Sequence, residues 1–160
     1  MIKHALALVT LAGLAGCAAQ SGSQPQAAGN SPQSSQTMTA GESQAANQQA
    51  ELAAYAGAHQ YPATQPARND LRAAAIVDAS QGAIKIYNFG TEPIRDADVW
   101  VNQAYVRHID AIAPGSSISI HMSNLYNGVG QQFSTRGEHV NLVQIQQDHA
   151  LHTLLGPVPQ

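Results

Sequence analysis

The sequence predicts an all-β fold: a small antiparallel β-sandwich of about six or seven strands, confined to residues 68–160 of a 160-residue chain. Three observations predict it. Large apolar side chains come late, because Trp100, Phe89, Phe133 and every Ile except Ile2 lie between residues 76 and 145, while residues 18–67 contain no Lys, Arg, Trp, Phe or Ile. After residue 72 the apolar residues alternate with period two, as in strands half-buried on one face. Turn signals separate these runs, and no segment after residue 72 carries helical periodicity.

Taken in order, "AAAIVDA" and "AIKIYNF" open the series, with Ile84 and Ile86 alternating with Lys85 and Tyr87. "ADVWVNQAYVRHIDAI" sets Val99 and Val101 on one face and Asp98, Trp100 and Asn102 on the other. "SISIHM" groups Ile118, Ile120 and Met122 opposite Ser119 and His121, and "HVNLVQIQ" and "ALHTLL" complete the set. Ala113-Pro114-Gly115-Ser116 suits a type II turn, with Pro fixing φ and Gly accepting the positive φ that follows. Asn127-Gly128 is a tight-turn pair, and Gln147-Asp148 suits a hairpin link. With one cysteine in the chain, no intramolecular disulfide can form and packing alone must hold the fold.

The first seventeen residues give an address. Met1-Ile2-Lys3-His4 is a short basic start and Ala5 to Leu14 an apolar run, shorter than the roughly 20 residues that span a bilayer and of the dimensions of a secretory signal peptide. Leu14-Ala15-Gly16-Cys17 then resembles the lipobox of bacterial lipoproteins. The resemblance implies a signal peptide over 1–16, recognised at Leu14, Ala15 and Gly16, and a lipidated Cys17. Two or three acyl chains, at about 0.8 kcal/mol per buried methylene, make a stable anchor where one would be reversible. Ala18 follows the cysteine, where Asp would favour inner-membrane retention in Gram-negative lipoproteins. The resemblance therefore favours the outer membrane over the inner.

Residues 17–67 read as an anchor followed by an Ala/Gln/Ser-rich disordered tether, too poor in apolar surface to offset its ordering entropy. Residues 44–59 are richer in helix formers, and a marginal helix with Leu52 and Tyr55 on one face is expected there. A coil from Cys17 to Arg68 spans on the order of 40 Å.

Within the domain, "IYNFGTEPIRDADVWVNQAYVRHIDAIAPGSSISI" resembles small immunoglobulin-like and fibronectin-like envelope domains, including the FxLYD type. Ile86, Asn88, Ile94, Asp96, Val99, Val101, Ile112, Pro114 and Gly115 carry the likeness. It implies a sandwich and no catalytic residues.

The chemistry is sparse. The net charge of −3 and the lack of a basic stripe argue against nucleic acid. His121, His139, His149 and His152 are candidate metal ligands, but His149 and His152 are three apart, which on a strand places them on opposite faces, and no metal or other cofactor is expected. Glu92, Asp96 and Asp98 form an acidic group beside Arg95, whose two Asp residues share a face only if the strand begins early. No nucleophile elbow or phosphate loop occurs, so no enzyme is expected. Trp100, Tyr87, Tyr105 and Tyr126 are candidate ligand contacts, with Trp100 exposed if the Val99/Val101 face is the core. The expectation is a lipid-anchored envelope protein, attached to the membrane, whose domain is a non-catalytic interaction or assembly module for an envelope protein. The alternative is a carbohydrate or cell-wall glycan module using the exposed aromatics.

Overall fold

The computed structural model describes residues 40–159. The expected signal peptide over 1–16, the expected lipidation at Cys17 and the expected tether up to residue 39 lie outside the described residues. Helix α1 (Ala40–Ala58) is followed by strands β1 (Ala73–Asp78), β2 (Ala83–Asn88), β3 (Ile94–Val101), β4 (Tyr105–Ile112) and β5 (Ser117–His121). A 3-10 turn (Met122–Asn124) leads to β6 (Tyr126–Asn127), β7 (Val143–Gln147), β8 (Ala150–Thr153) and β9 (Leu155–Pro159). One sheet has the order β5-β2-β1-β9, the other β6-β4-β3-β7-β8. Their facing sides share one core, in which Ala75, Ile84, Ile86 and Ile120 meet Val99, Val101, Ile112 and Ile145. This is the two-layer arrangement expected of a sandwich.

The turns follow from their residues. Gly115 has φ 71°, and Ser116 N–H bonds the Ala113 carbonyl at 3.1 Å, as the Pro-Gly pair predicts. Asp148 and His149 both have positive φ, 49° and 60°, closing β7 onto β8 in the tight two-residue geometry that matches strand twist.

Three features differ from expectation. There are nine strands among the described residues, one of them only two residues long. The pairing is not all antiparallel: β9 runs parallel to β1, because the chain crosses from one sheet to the other after Leu154 instead of turning back by a hairpin. The helix expected to be marginal is a 19-residue element docked on the outer face of the five-stranded sheet, where Leu52, Ala53, Tyr55 and Ala56 meet Trp100, Val106, Tyr126 and Leu151. Most helical stability in proteins comes from tertiary packing, and here the sheet face supplies it.

Strands β3 and β4 carry a phase change. Their register runs unbroken from Ile94↔Ile112 to Val101↔Tyr105, but Asp96 and Asp110, opposite each other, do not pair. Asp96 has φ 45°. The inward residues are consequently Ile94 and then Ala97, three apart, and on β4 Ile109 and then Ile112.

One end of the sandwich is tied by Asn88, 1% exposed. Its Nδ2 donates to the carbonyls of Glu92 (2.8 Å) and Ile112 (3.1 Å), and its Oδ1 accepts from Gly90 N–H at 2.9 Å. Its backbone bonds Gly115 and Ser116. Asn88→Ala leaves three buried or half-buried backbone groups without their partner, and should destabilise the domain by about 2–4 kcal/mol. Urea denaturation should show the midpoint fall with the slope unchanged.

Candidate functional site

The polar cluster of the molecule forms at the seam between α1 and the five-stranded sheet. The β3–β4 hairpin places Asp98 directly opposite His108. Both point outward, since Ala97, Val99 and Val101 take the core side. His108 Nδ1 lies 3.1 Å from Asp98 Oδ1, and a carboxylate can only accept, so Nδ1 carries the proton. Tyr55, from the last turns of α1, donates its hydroxyl to the same Asp98 oxygen at 2.5 Å and lies 3.3 Å from His108 Nδ1. The phase change at Asp96 turns its carboxylate toward the same imidazole, 3.4 Å from Nε2, with Asp110 at 4.0 Å. Strand β3 begins at Ile94, early enough to contain both residues, and Asp96 and Asp98 share a side of the sheet facing His108.

The β7–β8 turn brings Asp148 and His149 to the opposite rim, and with Gln146 they enclose an open recess of about 280 Å³. At the Tyr55 rim, His59 stacks on the phenol at 3.8 Å and its Nδ1 bonds the Tyr55 carbonyl at 2.8 Å, closing the end of α1. Burial, followed by the Asp98 hydrogen bond, raises the Tyr55 hydroxyl above its ordinary value of 10.0. Chemically, the recess presents the carboxylates of Asp96, Asp98 and Asp148 with the imidazoles of His108 and His149. Its lining includes no Ser, Thr or Cys that could act as a nucleophile. Among the described residues no Lys or Arg forms an ion pair with these carboxylates, and no group of three or more His, Cys, Asp or Glu is arranged to hold a metal ion.

The aromatic residues singled out from the sequence do not form a platform. Trp100 does face away from the aliphatic core side, as expected, but α1 covers it and it is 2% exposed. Its ring meets Tyr61 edge-on at 5.5 Å, and its Nε1 donates to Gln146 at 3.3 Å. Tyr126 lies buried in the same cluster under α1. Tyr105 points the other way, into the core against Phe133, with its hydroxyl donated to Glu138 at 2.5 Å. Tyr87 stands on the other sheet, 39% exposed. The expected exposure of Trp100 is thus corrected, because the segment read as tether supplies a lid.

The candidate histidines are dispersed. His121 ends β5, His139 lies in the loop before β7, and His152 on β8 bonds Asp70 at 2.7 Å. Glu92 offers only its carbonyl, to Asn88, and Arg95 is exposed. Sequence reasoning missed His108 and Tyr55. Asn102-Gln103, both at positive φ, is the turn that would have revealed the Asp98–His108 pair. Among the described residues no helix is long and apolar enough to cross a membrane. The chain matches no family model, no curated protein and no solved structure.

Tyr55→Phe removes the donor to Asp98 and should weaken α1 docking by about 1–2 kcal/mol. Trp100, the only tryptophan, reports it: its emission should shift red at lower urea than in the parent chain. High pH should act at this seam through Tyr55 and in the sandwich core through Tyr105. Tyr55 is raised, and Tyr105 is pushed up to about 12, chiefly by burial and then by Glu138. Because folding raises both values, their contribution to stability is full below pH 10.0 and is lost as pH climbs through the folded values. Absorbance titrations of Tyr55→Phe and Tyr105→Phe should each lack amplitude above that point.

Proposed function

We propose that this protein is a lipid-anchored envelope protein whose β-sandwich, of the small immunoglobulin-like envelope type, is a non-catalytic interaction module. On this reading Leu14-Ala15-Gly16 directs cleavage, Cys17 carries the lipid, and the segment up to Ala40 sets the distance to the membrane. Ala18 favours the outer membrane. The observation that carries the reading is the ordered run of basic start, apolar stretch, small residues and cysteine at residues 1–17. The domain supports it with an acidic recess whose carboxylates have no Lys or Arg partner among the described residues. We assign the partner contact to that recess, which suits a cationic group of an envelope protein. The glycan alternative has less to stand on, since Trp100 is covered by α1.

The anchor and the contact are separable by experiment. Cys17→Ser should abolish palmitate incorporation and release the protein from the membrane fraction, leaving Trp100 emission unchanged. In-cell cross-linking should capture one dominant envelope protein from the wild type. Asp96→Asn with Asp148→Asn should reduce that yield severalfold while keeping the anchor, because both residues line the recess and are exposed, so the change removes charge without disturbing packing. Continued membrane attachment of Cys17→Ser would overturn the lipoprotein reading, and an unchanged cross-link in the double variant would overturn the assigned contact.

A further inference from the structure

Strand β4 is paired with β3 along its length, but on its other side β6 meets it only at Tyr105 and Val106. The chain leaves that row at Leu125, because Met122–Asn124 curls into a 3-10 turn closed by Leu125 N–H on the Met122 carbonyl at 3.1 Å. Residues 107–111 therefore form a bare edge: among the described residues no other backbone bonds to it. The β8 edge is different, since Arg68 bonds it at Leu151 and Thr153. Beside the bare edge lies a cleft of about 260 Å³ between β4 and β5, two strands of different sheets, with Ile109, Ile118 and Ile120 and the charged Arg107 and Asp110 in its lining. It is half of a strand position, roughly 17 Å long, left vacant next to the half that β6 fills.

We propose that this vacancy is a strand-addition site, in which an extended segment of a partner protein pairs antiparallel with residues 107–111 of β4, in line with β6. The proposal rests on the interaction-module reading and names the chemistry of the partner. Exposed strand N–H and C=O groups repeat at a spacing that another extended backbone matches along its whole length. Charge then sets the side chains. From Tyr105 to Ile109 the odd positions of β4 face the core side, where Tyr105 and Ile109 are buried; the phase changes beyond Ile109, and Asp110 faces outward, fully exposed. Arg107 has no acidic partner among the described residues, and Asp110 has only His108, at 4.0 Å. Cross-strand neighbours interact through such pairs. The fitting segment, read from its N-terminus, has a basic residue opposite Asp110, an apolar one opposite Ile109, a neutral one opposite His108 and an acidic one opposite Arg107. β6 fixes the direction, because it occupies the same row and is antiparallel to β4.

The test uses the full chain in detergent and the capped peptide Ser-Lys-Val-Thr-Glu, which runs from opposite Ala111 to opposite Arg107 and stops short of the Val106–Tyr126 pair, with hydrogen exchange and fluorescence anisotropy as readouts. Binding should slow amide exchange at 107–111. Methylating alternate peptide nitrogens, which removes edge donors and keeps the side chains, should abolish it. Asp110→Lys should weaken binding by about tenfold, and the peptide with Lys replaced by Glu should recover it. The proposal is overturned by no binding at millimolar peptide, by equal binding of the methylated peptide, or by protection elsewhere. Slow exchange at 107–111 before peptide is added would mean that this chain's own residues fill the row, and concentration-dependent protection would assign it to a second copy; either also overturns the proposal. If the peptide fails while in-cell capture of a partner persists, the strand site falls and the module reading stands.

Discussion

The buried amide of Asn88 is the contact on which the rest of the domain depends. It holds the end of β2, the loop into β3 and the β4–β5 turn at one point. Two of these are the places where the chain changes sheets, so a single side chain sets the spacing of the layers at that end. A side chain with both donors and an acceptor is required, because it must satisfy carbonyls on one side and an N–H on the other. Away from the knot β4 and β5 are free to diverge, as strands of separate twisted sheets do. The cleft along β4 is a consequence of that divergence.

A second constraint acts on the opposite face. Trp100 and Val106 point outward from the five-stranded sheet and would expose a large apolar patch. Helix α1 covers it with small residues, Ala53 and Ala56, close enough that a Cβ on Gly128 would lie 3.9 Å from the Ala56 carbonyl. The helix is Ala-rich and has little apolar contrast, so a polar contact supplements the packing. Tyr55 provides it, reaching the Asp98–His108 pair. The candidate site and the attachment of the lid are thus the same atoms, and a partner that displaces Tyr55 from Asp98 acts on the cover of Trp100.

Much of the sandwich was legible in the sequence because strand burial has a period of two and turns need particular residues. Ile84 and Ile86, Val99 and Val101, and the Pro114-Gly115 turn are such cases. The lid was not legible, because a helix with Leu52 and Tyr55 as its only large apolar side chains looks like spacer until its partner surface is known. The exposure expected for Trp100 failed for the same reason: the face was assigned correctly and its cover was unseen. The candidate site needed two facts that periodicity does not carry, a turn at Asn102-Gln103 without Gly, and the positive φ of Asp96 that reverses strand phase. The parallel return of β9 beside β1 is likewise a matter of sheet crossing, not of local pattern.

The docking of α1 has a further consequence for the chain as a covalent object. The segment between Ala58 and Arg68, which holds Pro62 and Pro66, carries exposed residues over most of its length. It keeps the helix at a high effective concentration over its sheet face, which is what allows so few apolar contacts to hold it. A single cut in that segment would turn a lid into a separate ligand, diluted to its true concentration. The domain would then retain its core and lose its cover, presenting Trp100, Val106, Tyr126 and Leu151 as a new adhesive surface. The connection itself, more than any contact the helix makes, separates a shielded protein from a sticky one.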